Sequence, residues 1–336
     1  MKIPDKKGKI IGIKEEKPWV EKYRPNSFEE VVSQSIAIDN LREFTLSNDI
    51  PHMIFAGPSG TGKTSAALII ARTATKKQNY YANVLELNAS DTVRMDYVRS
   101  VIKSFVNQNL ILDKNTLKFV ILDEADNIPT QVQQALRRII EKASSNVKFI
   151  LLYNYINRII DPIVSRCAVF RFTNLTKKKI VERLRFIADK EKLQIPQTQA
   201  NKFYDTLFFI SGGDLRKAIN TLQMSVALEL IDKLDPNEIL KISGFLDDKT
   251  LEKLMNAIKA KDIDEVKRTF DTIENIDSRN FIRQIIERID DLNIQSNDYN
   301  NIIAFFGDVD YRISQGADEK IQLIALIGQL IRNIIL

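Results

Sequence analysis

The hydrophobic pattern of the first half of the chain alternates between two kinds of segment. Short uninterrupted apolar runs, typical of strands buried on both faces, are separated by stretches in which apolar residues recur with the helical period. The predicted strands are residues 52–56, 84–87, 118–123, 148–153 and 169–172. The predicted helices run from residue 37 to near residue 48, over 63–72, from residue 97 onward and over 130–142. This alternation predicts an α/β domain in which helices cover a parallel sheet.

Beyond Asn174 the pattern changes to helices alone. A Gly-Gly pair at residues 212–213 ends one helix, and Asp214 is placed to cap the next. From about residue 241 the chain is helical again and rich in Ile, Leu, Asp and Lys. We therefore expect three domains, which are an α/β domain over residues 1–174, a small helical domain over residues 175–240 and an all-helical domain over residues 241–336.

Composition adds few constraints to this picture. The chain has 336 residues, a net charge of +5 and a pI near 9.0. A mild positive charge suits a polyanionic partner, but a solvated lysine-rich surface accounts for it equally well. One cysteine and one histidine exclude an internal disulfide and a structural zinc cluster, and this usage fits a reducing compartment.

Neither end of the chain predicts a membrane segment. Residues 1–17 are charged throughout and have no apolar core for a signal peptide. The most apolar segment, residues 321–336, is 16 residues long and is interrupted by polar side chains. A spanning helix needs about 20 mostly apolar residues. We expect a packed amphipathic helix there and no membrane partner.

The clearest motif is GPSGTGKT at residues 57–64, which fits G-x-x-x-x-G-K-S/T between a predicted strand and a predicted helix. Its three glycines let backbone amides turn toward phosphate oxygens, and the helix N-terminus adds positive potential. Lys63 is expected to reach the β- and γ-phosphates, and the Thr64 hydroxyl is expected to coordinate Mg²⁺. A chance match in a loop is the alternative, and the strand–helix context argues against it. The motif predicts a nucleotide site without specifying the reaction.

Polar side chains follow two of the predicted strands. Asp123 and Glu124 end the run FVILDEAD, and parallel sheets bind ligands at the carboxyl ends of their strands. Asp123 is then expected to hold Mg²⁺ through water, and Glu124 to orient and deprotonate the attacking water. Asp126 has no assigned role in the chemistry, and capping of the next helix is the alternative for it. Asn154 follows the next strand. Its side chain either contacts the γ-phosphate or the attacking water, or it is an ordinary turn asparagine, and the sequence leaves both possibilities open.

The stretch DPIVSRCAVF, residues 161–170, joins an arginine to the chain's single cysteine. A reactive cysteine needs a lowered pKa and usually a histidine base, and His52 is distant in sequence. Because an apolar strand follows at once, we expect Cys167 to be a small core residue. Arg166 lies in a turn, where it either makes a surface salt bridge or stabilises charge on a transferring phosphoryl group.

Taken together, these motifs resemble the small subunits of replication factor C, the AAA+ sliding-clamp loader. The resemblance covers most of residues 18–220 and rests on PWVEKYRP (18–25), GPSGTGKTS (57–65), LELNASD (85–91), ILDEAD (121–126), QALRRIIEK (134–142), NYINRIIDPIVSRC (154–167), FRF (170–172) and GDLRKAIN (213–220). The C-terminal third is recognisable only as helical. The family usually reads NASDxRG, whereas this chain has Val93-Arg94 in place of the Arg-Gly pair.

The resemblance implies a fold and specific roles for residues. It implies an AAA+ domain over residues 1–174, a helical lid over 175–240 and an oligomerisation collar over 241–336. It implies that Glu124, Asp123, Lys63 and Arg166 are catalytic, with Arg166 acting in the ATP site of the adjacent subunit, and that Thr64 and Asp123 hold Mg²⁺. The implied ATP-binding residues are Val20, Arg24, Gly57, Pro58, Ser59, Gly60, Thr61, Gly62, Lys63, Thr64, Ser65, Asn154 and Arg216.

DNA contacts are expected from a turn and the helix after it. Arg94 is the substitute for the family's usual arginine, and Arg99 and Lys103 lie four residues apart on the following predicted helix. Such a pair suits sequence-independent phosphate contacts, and ordinary solvated charges are the alternative.

The function implied by the resemblance is that of an ATPase subunit in a heteropentameric clamp loader. ATP binding would let the ring open a PCNA-type sliding clamp, and primer–template DNA would then trigger hydrolysis. The expected location is the nucleus, or the cytoplasm if the source has no nucleus. Two alternatives remain, which are an ATP-binding scaffold subunit without hydrolysis and another AAA+ DNA motor.

Overall fold

A computed structural model gives the architecture of the protein. It describes residues 3–4, 10–11, 17–32, 35–47, 49–75, 80–90, 95–107, 117–143, 145–228, 235–273, 277–292, 294 and 296–334. The described residues group into two compact units. The first comprises Met1–Leu193 with Ser211–Gln223, and the second comprises Gln194–Ile210 with Met224–Leu336. The three-domain division at residues 174 and 240 stays a prediction.

Within the described ranges of the first unit, five strands form one parallel sheet, as the apolar runs predicted. The strands are β1 (Met53–Ala56), β2 (Val84–Asn88), β3 (Lys118–Asp123), β4 (Val147–Tyr153) and β5 (Ala168–Arg171). Their order across the sheet is β2-β3-β4-β1-β5, and all neighbouring pairs are parallel. A short antiparallel pair also joins Ile3–Pro4 to Ile10–Ile11.

Both faces of this sheet are covered, which is why its strands are uninterrupted apolar runs. In β1, Met53 and Phe55 belong to one hydrophobic cluster, while Ile54 and Ala56 belong to another. The first cluster includes residues of the helices Ser35–Ser47 and Lys63–Ala74. The second includes residues of the helix Thr130–Lys142. Alternate side chains of each strand therefore enter opposite layers.

Helices account for most of the remaining described chain. In the first part they are α1 (Trp19–Lys22), α2 (Ser35–Ser47), α3 (Lys63–Ala74), α4 (Tyr80–Asn83), α5 (Met95–Asn107), α6 (Thr130–Lys142), α7 (Asp161–Val164) and α8 (Lys177–Lys190). They continue as α9 (Gln197–Ser211), α10 (Leu215–Ala227), α11 (Pro236–Ile242), α12 (Asp248–Lys259), α13 (Ile263–Asp271), α14 (Ser278–Glu287), α15 (Ser296–Ser314) and α16 (Glu319–Asn333). Short 3-10 turns lie at Phe28–Glu30, Ala125–Asn127, Ile156–Arg158 and Ile289–Asp291.

The C-terminal helices begin at aspartate caps. In each of α11, α12, α13, α14 and α16, a backbone N–H of the first turn donates a hydrogen bond to the aspartate side chain that precedes the helix. These accepting aspartates are, in the same order, Asp235, Asp247, Asp262, Asp277 and Asp318. Such a cap satisfies a donor that has no partner inside the helix. Each cap therefore fixes the residue at which its helix begins.

The last helix, α16, is amphipathic, as its interrupted apolar pattern predicted. Leu323, Leu326 and Leu330 are buried, whereas Ile321 is 63% exposed. Among the residues that the structure describes, no helix is both long enough and apolar enough to cross a bilayer.

Candidate nucleotide-binding site

The strand order of the sheet brings three strand ends together. Strands β3, β4 and β1 are neighbours, so Asp123 at the end of β3, Asn154 after β4 and the loop after β1 share one edge. One pocket at this edge is lined by Val20, Tyr23, Arg24, Pro25, Val31, Val32, Ser59, Gly60, Thr61, Gly62, Lys63, Thr64, Ser65, Asp123, Glu124, Asn154, Leu175, Arg183, Leu215, Arg216 and Ile219. Ligands of open α/β sheets bind at such an edge.

The loop after β1 needs glycine at two tight places. Gly60 has φ +67°, and a Cβ there would lie 1.7 Å from Asp214 Oδ1. Gly57 has φ +151°, and a Cβ there would lie 2.0 Å from the Phe172 carbonyl oxygen. The loop can therefore approach its surroundings closely only because these side chains are missing. It leads into the N-terminus of α3, where unpaired amides favour an anion.

Lys63 is held inside the loop. Its Nζ donates to the carbonyl oxygens of Gly57 at 2.7 Å and Pro58 at 2.8 Å, and to Asn154 Oδ1 at 3.0 Å. Burial lowers the pKa of the Lys63 ammonium, while the charge of Asp123 acts in the opposite direction. An ammonium placed this way can exchange loop carbonyls for phosphate oxygens.

Thr64 and Asp123 contact each other directly. The Thr64 hydroxyl donates to Asp123 Oδ2 at 2.9 Å, and Asp123 Oδ1 accepts the backbone N–H of Glu124 at 2.8 Å. A hydroxyl and a carboxylate beside a phosphate loop are the hard oxygen donors that Mg²⁺ takes together with waters and phosphates. The residues present therefore fit a magnesium ion. Glu124 is exposed and has φ 51°, a left-handed conformation that is uncommon outside glycine.

Asp126 does not cap α6, because Pro129 is the residue at the cap position of that helix. Its carboxylate accepts the backbone N–H of Asn154 at 2.7 Å and that of Tyr155 at 2.9 Å. One carboxylate thus fixes the backbone from which the Asn154 side chain extends to Lys63. Asp126 is a positioning residue for Asn154.

We predict that Asp126→Asn weakens this arrangement. An amide presents an N–H₂ group where one backbone N–H now finds an oxygen, so the free energy of unfolding should fall by about 1.5 kcal/mol. ATP turnover should fall roughly tenfold, because Asn154 loses its fixed position. Urea denaturation and steady-state turnover measure both effects, with Asp39→Asn on the exposed surface of α2 as the control. Unchanged values in both measurements would contradict the positioning role.

Val20 and Arg24, predicted from the resemblance, line the pocket from the segment around α1. This segment is anchored by Trp19, which is buried and whose backbone N–H donates to Gln223 Oε1 at 3.0 Å. Arg183, on α8, donates from Nη2 to the Tyr23 carbonyl oxygen at 2.7 Å and also lines the pocket. Burial lowers the pKa of Arg183. The sequence analysis missed Arg183, because its only signal was a polar position beside an apolar stripe.

Arg216, which the resemblance implies contacts ATP, is exposed at the start of α10 and lines the pocket. The preceding Asp214 caps this helix by accepting the Lys217 backbone N–H at 3.0 Å, which confirms the predicted cap. Its other oxygen accepts the Ser59 hydroxyl at 2.6 Å. Asp214 therefore ties the phosphate loop to the helix that carries Arg216, a link that the sequence analysis missed.

Arg166 is placed apart from these groups. It lies after α7, is exposed and does not belong to the described residues that line the pocket. Its guanidinium donates to the Pro162 carbonyl oxygen at 2.6 Å and forms an ion pair with Glu141 at 2.6 Å. The structure therefore brings together the predicted site residues of the chain's own pocket and leaves Arg166 outside it.

Cys167 is half-buried against the hydrophobic cluster of β4 and α6. Burial raises the pKa of its thiol to about 12, although the charge of Arg166 acts to lower it. A thiol that stays protonated at neutral pH is a poor nucleophile. This agrees with the expectation of a small core residue.

We predict that Cys167→Ser keeps most of the ATP turnover. The hydroxyl replaces the thiol at nearly the same size, and the expected cost is a loss of stability of about 1 kcal/mol from placing a hydroxyl in an apolar cluster. Steady-state turnover and a thermal melt measure this. A loss of turnover with an unchanged melting temperature would contradict the passive role of Cys167.

The predicted DNA-contacting residues are only partly described. Arg94 lies outside the described residues, and the side chain of Arg99 on α5 does as well. Lys103 is exposed on α5. Phe105 and Val106 on the same helix pack against the hydrophobic core.

Comparison with known proteins finds a family match in two separate parts of the chain. Residues 53–175 match the ATPase family associated with various cellular activities (AAA), and residues 246–329 match the replication factor C C-terminal domain. The chain is also similar in fold to the RuvB Holliday junction branch migration motor of Thermotoga maritima, with a TM-score of 0.53 and 18% identity over 79% of this chain and 91% of RuvB. An identity this low shows the fold alone.

Curated relatives match over nearly the whole chain. Replication factor C small subunit 1 of Pyrobaculum aerophilum is 40% identical over 315 residues, which are 93% of this chain and 93% of that protein. The replication factor C small subunit of Sulfurisphaera tokodaii is 37% identical over 95% of this chain and 97% of its own length. With an AAA ATPase domain and this degree of identity, the chain is an ATP hydrolase that belongs to the replication factor C small-subunit family.

Proposed function

We propose that this chain is an ATP-hydrolysing small subunit of a heteropentameric clamp loader, which opens a PCNA-type sliding clamp and places it on primer–template DNA in replication and repair. The observation that carries the proposal is the convergence of Lys63, Thr64, Asp123 and Asn154 on the phosphate loop, in a pocket that Val20 and Arg216 complete. The membership of the replication factor C small-subunit family supports the same function.

The residues of the pocket divide the work on ATP. Backbone amides of the loop and the Lys63 ammonium bind the phosphates, and Arg216 contacts the γ-phosphate from α10. Thr64 and Asp123 would hold Mg²⁺, which when bound would neutralise charge on the phosphate oxygens. Glu124 orients the attacking water and accepts its proton. Asn154, fixed by Asp126, holds the water or a γ-phosphate oxygen in line.

Arg166 is assigned to the neighbouring subunit's site. It is exposed and is not among the described residues that line the pocket of its own chain, so it is available to a phosphate bound in the adjacent subunit. Two groups from two subunits then meet at one phosphate, and the isolated chain hydrolyses ATP slowly. DNA in the ring favours the arrangement in which they meet.

DNA binding is assigned to Arg94, Arg99 and Lys103. The exposed position of Lys103 on α5 supports phosphate contacts, which are independent of base sequence and weaken as salt is raised. Because the relatives reported above are archaeal, and archaeal cells have no nucleus, we propose that the complex works in the cytoplasm.

Two other functions predict different results. A scaffold subunit would bind ATP without hydrolysing it, and the intact set of Lys63, Asp123 and Glu124 argues against this. A six-membered DNA motor would share the fold of RuvB, but the similarity to RuvB is 18% in sequence, against 40% to a replication factor C small subunit.

The test is ATP turnover and clamp loading by the complex assembled from this chain and its partner subunits. We expect slow ATP turnover by the complex alone and faster turnover when clamp and primed DNA are added together. A loaded clamp should also be retained on DNA whose two ends are blocked. The matched control is the complex with Lys63→Ala, which should load no clamp. Tight ATP binding without turnover would instead indicate a scaffold, and a native mass of six subunits would indicate a motor.

A further inference from the structure

A carboxylate on α6 lies between two guanidinium groups. Arg166 Nη2 is 2.6 Å from Glu141 Oε1, and Arg137 Nε is 3.3 Å from the same oxygen. Arg137 and Glu141 are four residues apart on α6, whereas Arg166 comes from the turn after α7. The side chains are partly shielded, with exposed fractions of 35% for Arg137, 31% for Glu141 and 38% for Arg166.

Both terminal nitrogens of the Arg166 guanidinium are engaged. Nη1 donates to the Pro162 carbonyl oxygen at 2.6 Å and to the Ser165 hydroxyl at 3.1 Å, while Nη2 faces Glu141. A guanidinium has five N–H donors in a fixed plane, so three contacts still leave donors for another ligand. Contacts from α6 and from α7 therefore fix the plane of the group without using all of its donors.

We propose that Glu141 is a positioning residue, which holds the Arg166 guanidinium in the orientation that meets the phosphates of the neighbouring subunit. The inference rests on the proposed function, in which Arg166 acts in trans. A long arginine side chain has many rotamers, and ordering it only when the phosphate arrives would lower the fraction of productive encounters. Glu141 orders it beforehand.

Arg137 completes the arrangement. Its Nε lies 3.3 Å from Glu141 Oε1 on α6, and this buried atom makes no hydrogen bond to the described residues, so its pairing with the carboxylate is electrostatic. Two guanidinium groups around one carboxylate also leave a net charge of +1. Glu141 therefore orients Arg166 without cancelling the positive charge that a phosphoryl group requires.

The experiment compares Glu141→Ala, Glu141→Gln and Arg166→Ala in the assembled complex with clamp and primed DNA. For Glu141→Ala we expect kcat to fall about 10- to 100-fold, since small misplacements of catalytic groups have effects of this size. The KM for ATP and the melting temperature should stay close to wild type. Glu141→Gln keeps one accepting oxygen, so its kcat should lie between those of wild type and Glu141→Ala.

A control and a double variant separate positioning from folding. Glu287→Gln removes the carboxylate of an equivalent pair, because Glu287 lies four residues after Arg283 at 3.2 Å, and it should leave kcat unchanged. The double variant Glu141→Ala, Arg166→Ala should be no slower than Arg166→Ala alone, since Glu141 acts only through Arg166.

Three outcomes would overturn the inference. Normal kcat in Glu141→Ala, with turnover lost in Arg166→Ala, leaves the proposed function standing and removes the role of Glu141. Faster turnover in Glu141→Ala means that the carboxylate holds Arg166 away from the neighbouring subunit's phosphates instead of orienting it toward them. Additive losses in the double variant mean a structural role. Normal turnover in Arg166→Ala would instead contradict the role in trans that the proposed function gives to Arg166.

Discussion

Replacing Glu124 by glutamine should strongly slow steady-state ATP turnover while ATP binding remains. Glutamine has nearly the same shape, but its amide does not accept a proton from the attacking water. A general base contributes roughly 10²- to 10⁴-fold to a rate, and the turnover of the variant should fall by that factor. The substitution leaves in place Lys63, which we propose binds the phosphates, and Thr64, which we propose holds Mg²⁺.

The geometry around Glu124 explains why binding should survive. Asp123 Oδ1 accepts the Glu124 backbone N–H at 2.8 Å, so the backbone at this position is held independently of the Glu124 side chain. Asp123 Oδ2 contacts Thr64 and does not depend on Glu124 either. The substitution should therefore change the chemistry at the pocket without changing its shape.

Two measurements check this prediction. Equilibrium binding of a fluorescent ATP analogue should give a Kd close to that of wild type, and single-turnover hydrolysis should be slow. The control is Glu43→Gln, which alters an exposed carboxylate on α2. A Kd raised tenfold or more would show that Glu124 belongs to the binding surface, and turnover within a few-fold of wild type would show that another group accepts the proton.

The sheet and its helices were largely predictable from sequence, because they depend on local patterns. Strand β3 and helix α6 have the bounds that were expected, 118–123 and 130–142. An apolar run that ends at a carboxylate and a helical stripe that begins after a proline are both short-range signals. Strand β5 begins one residue earlier than predicted, because the Ala168 N–H pairs with the His52 carbonyl oxygen of a neighbouring segment.

The contacts that position the site were not predictable in the same way. Asp126 binds backbone amides 28 and 29 residues away, Asp214 accepts a hydroxyl 155 residues away and Arg183 donates to a carbonyl 160 residues away. In sequence each looks like an ordinary surface residue. Only the fold shows that their partners are backbone groups and loop residues at the edge of the pocket.

Gln133 illustrates the same limit inside α6. The helical stripe predicted an apolar face, yet Gln133 is buried and makes three hydrogen bonds, to the Ile128 and Arg158 carbonyl oxygens and from the Ile160 N–H. The bonds with Arg158 and Ile160 satisfy backbone groups of the segment that leads to α7 and Arg166. A glutamine in a helix gives no sign of this in the sequence, since two of its three partners lie 25 and 27 residues away.

Replacing Arg166 by alanine should produce the largest loss of activity, and only in the assembled complex. An arginine that stabilises phosphoryl transfer in trans is worth about 10³- to 10⁵-fold in kcat. Arg166 lies outside the pocket of its own chain, so ATP binding by the variant should be unchanged. Arg166→Lys should restore little, because a lysine has a single ammonium in place of the planar fork.

The decisive measurement compares the isolated chain with the complex. Without neighbours, wild type and Arg166→Ala should hydrolyse ATP at the same slow rate, because neither receives an arginine from another subunit. In the complex with clamp and primed DNA, wild type should accelerate and Arg166→Ala should not. The control is Arg42→Ala, which removes another ion-paired arginine, 2.9 Å from Glu29 and 43% exposed. A defect already present in the isolated chain would place Arg166 in its own ATP site, and full turnover of the Arg166→Ala complex would remove it from catalysis altogether.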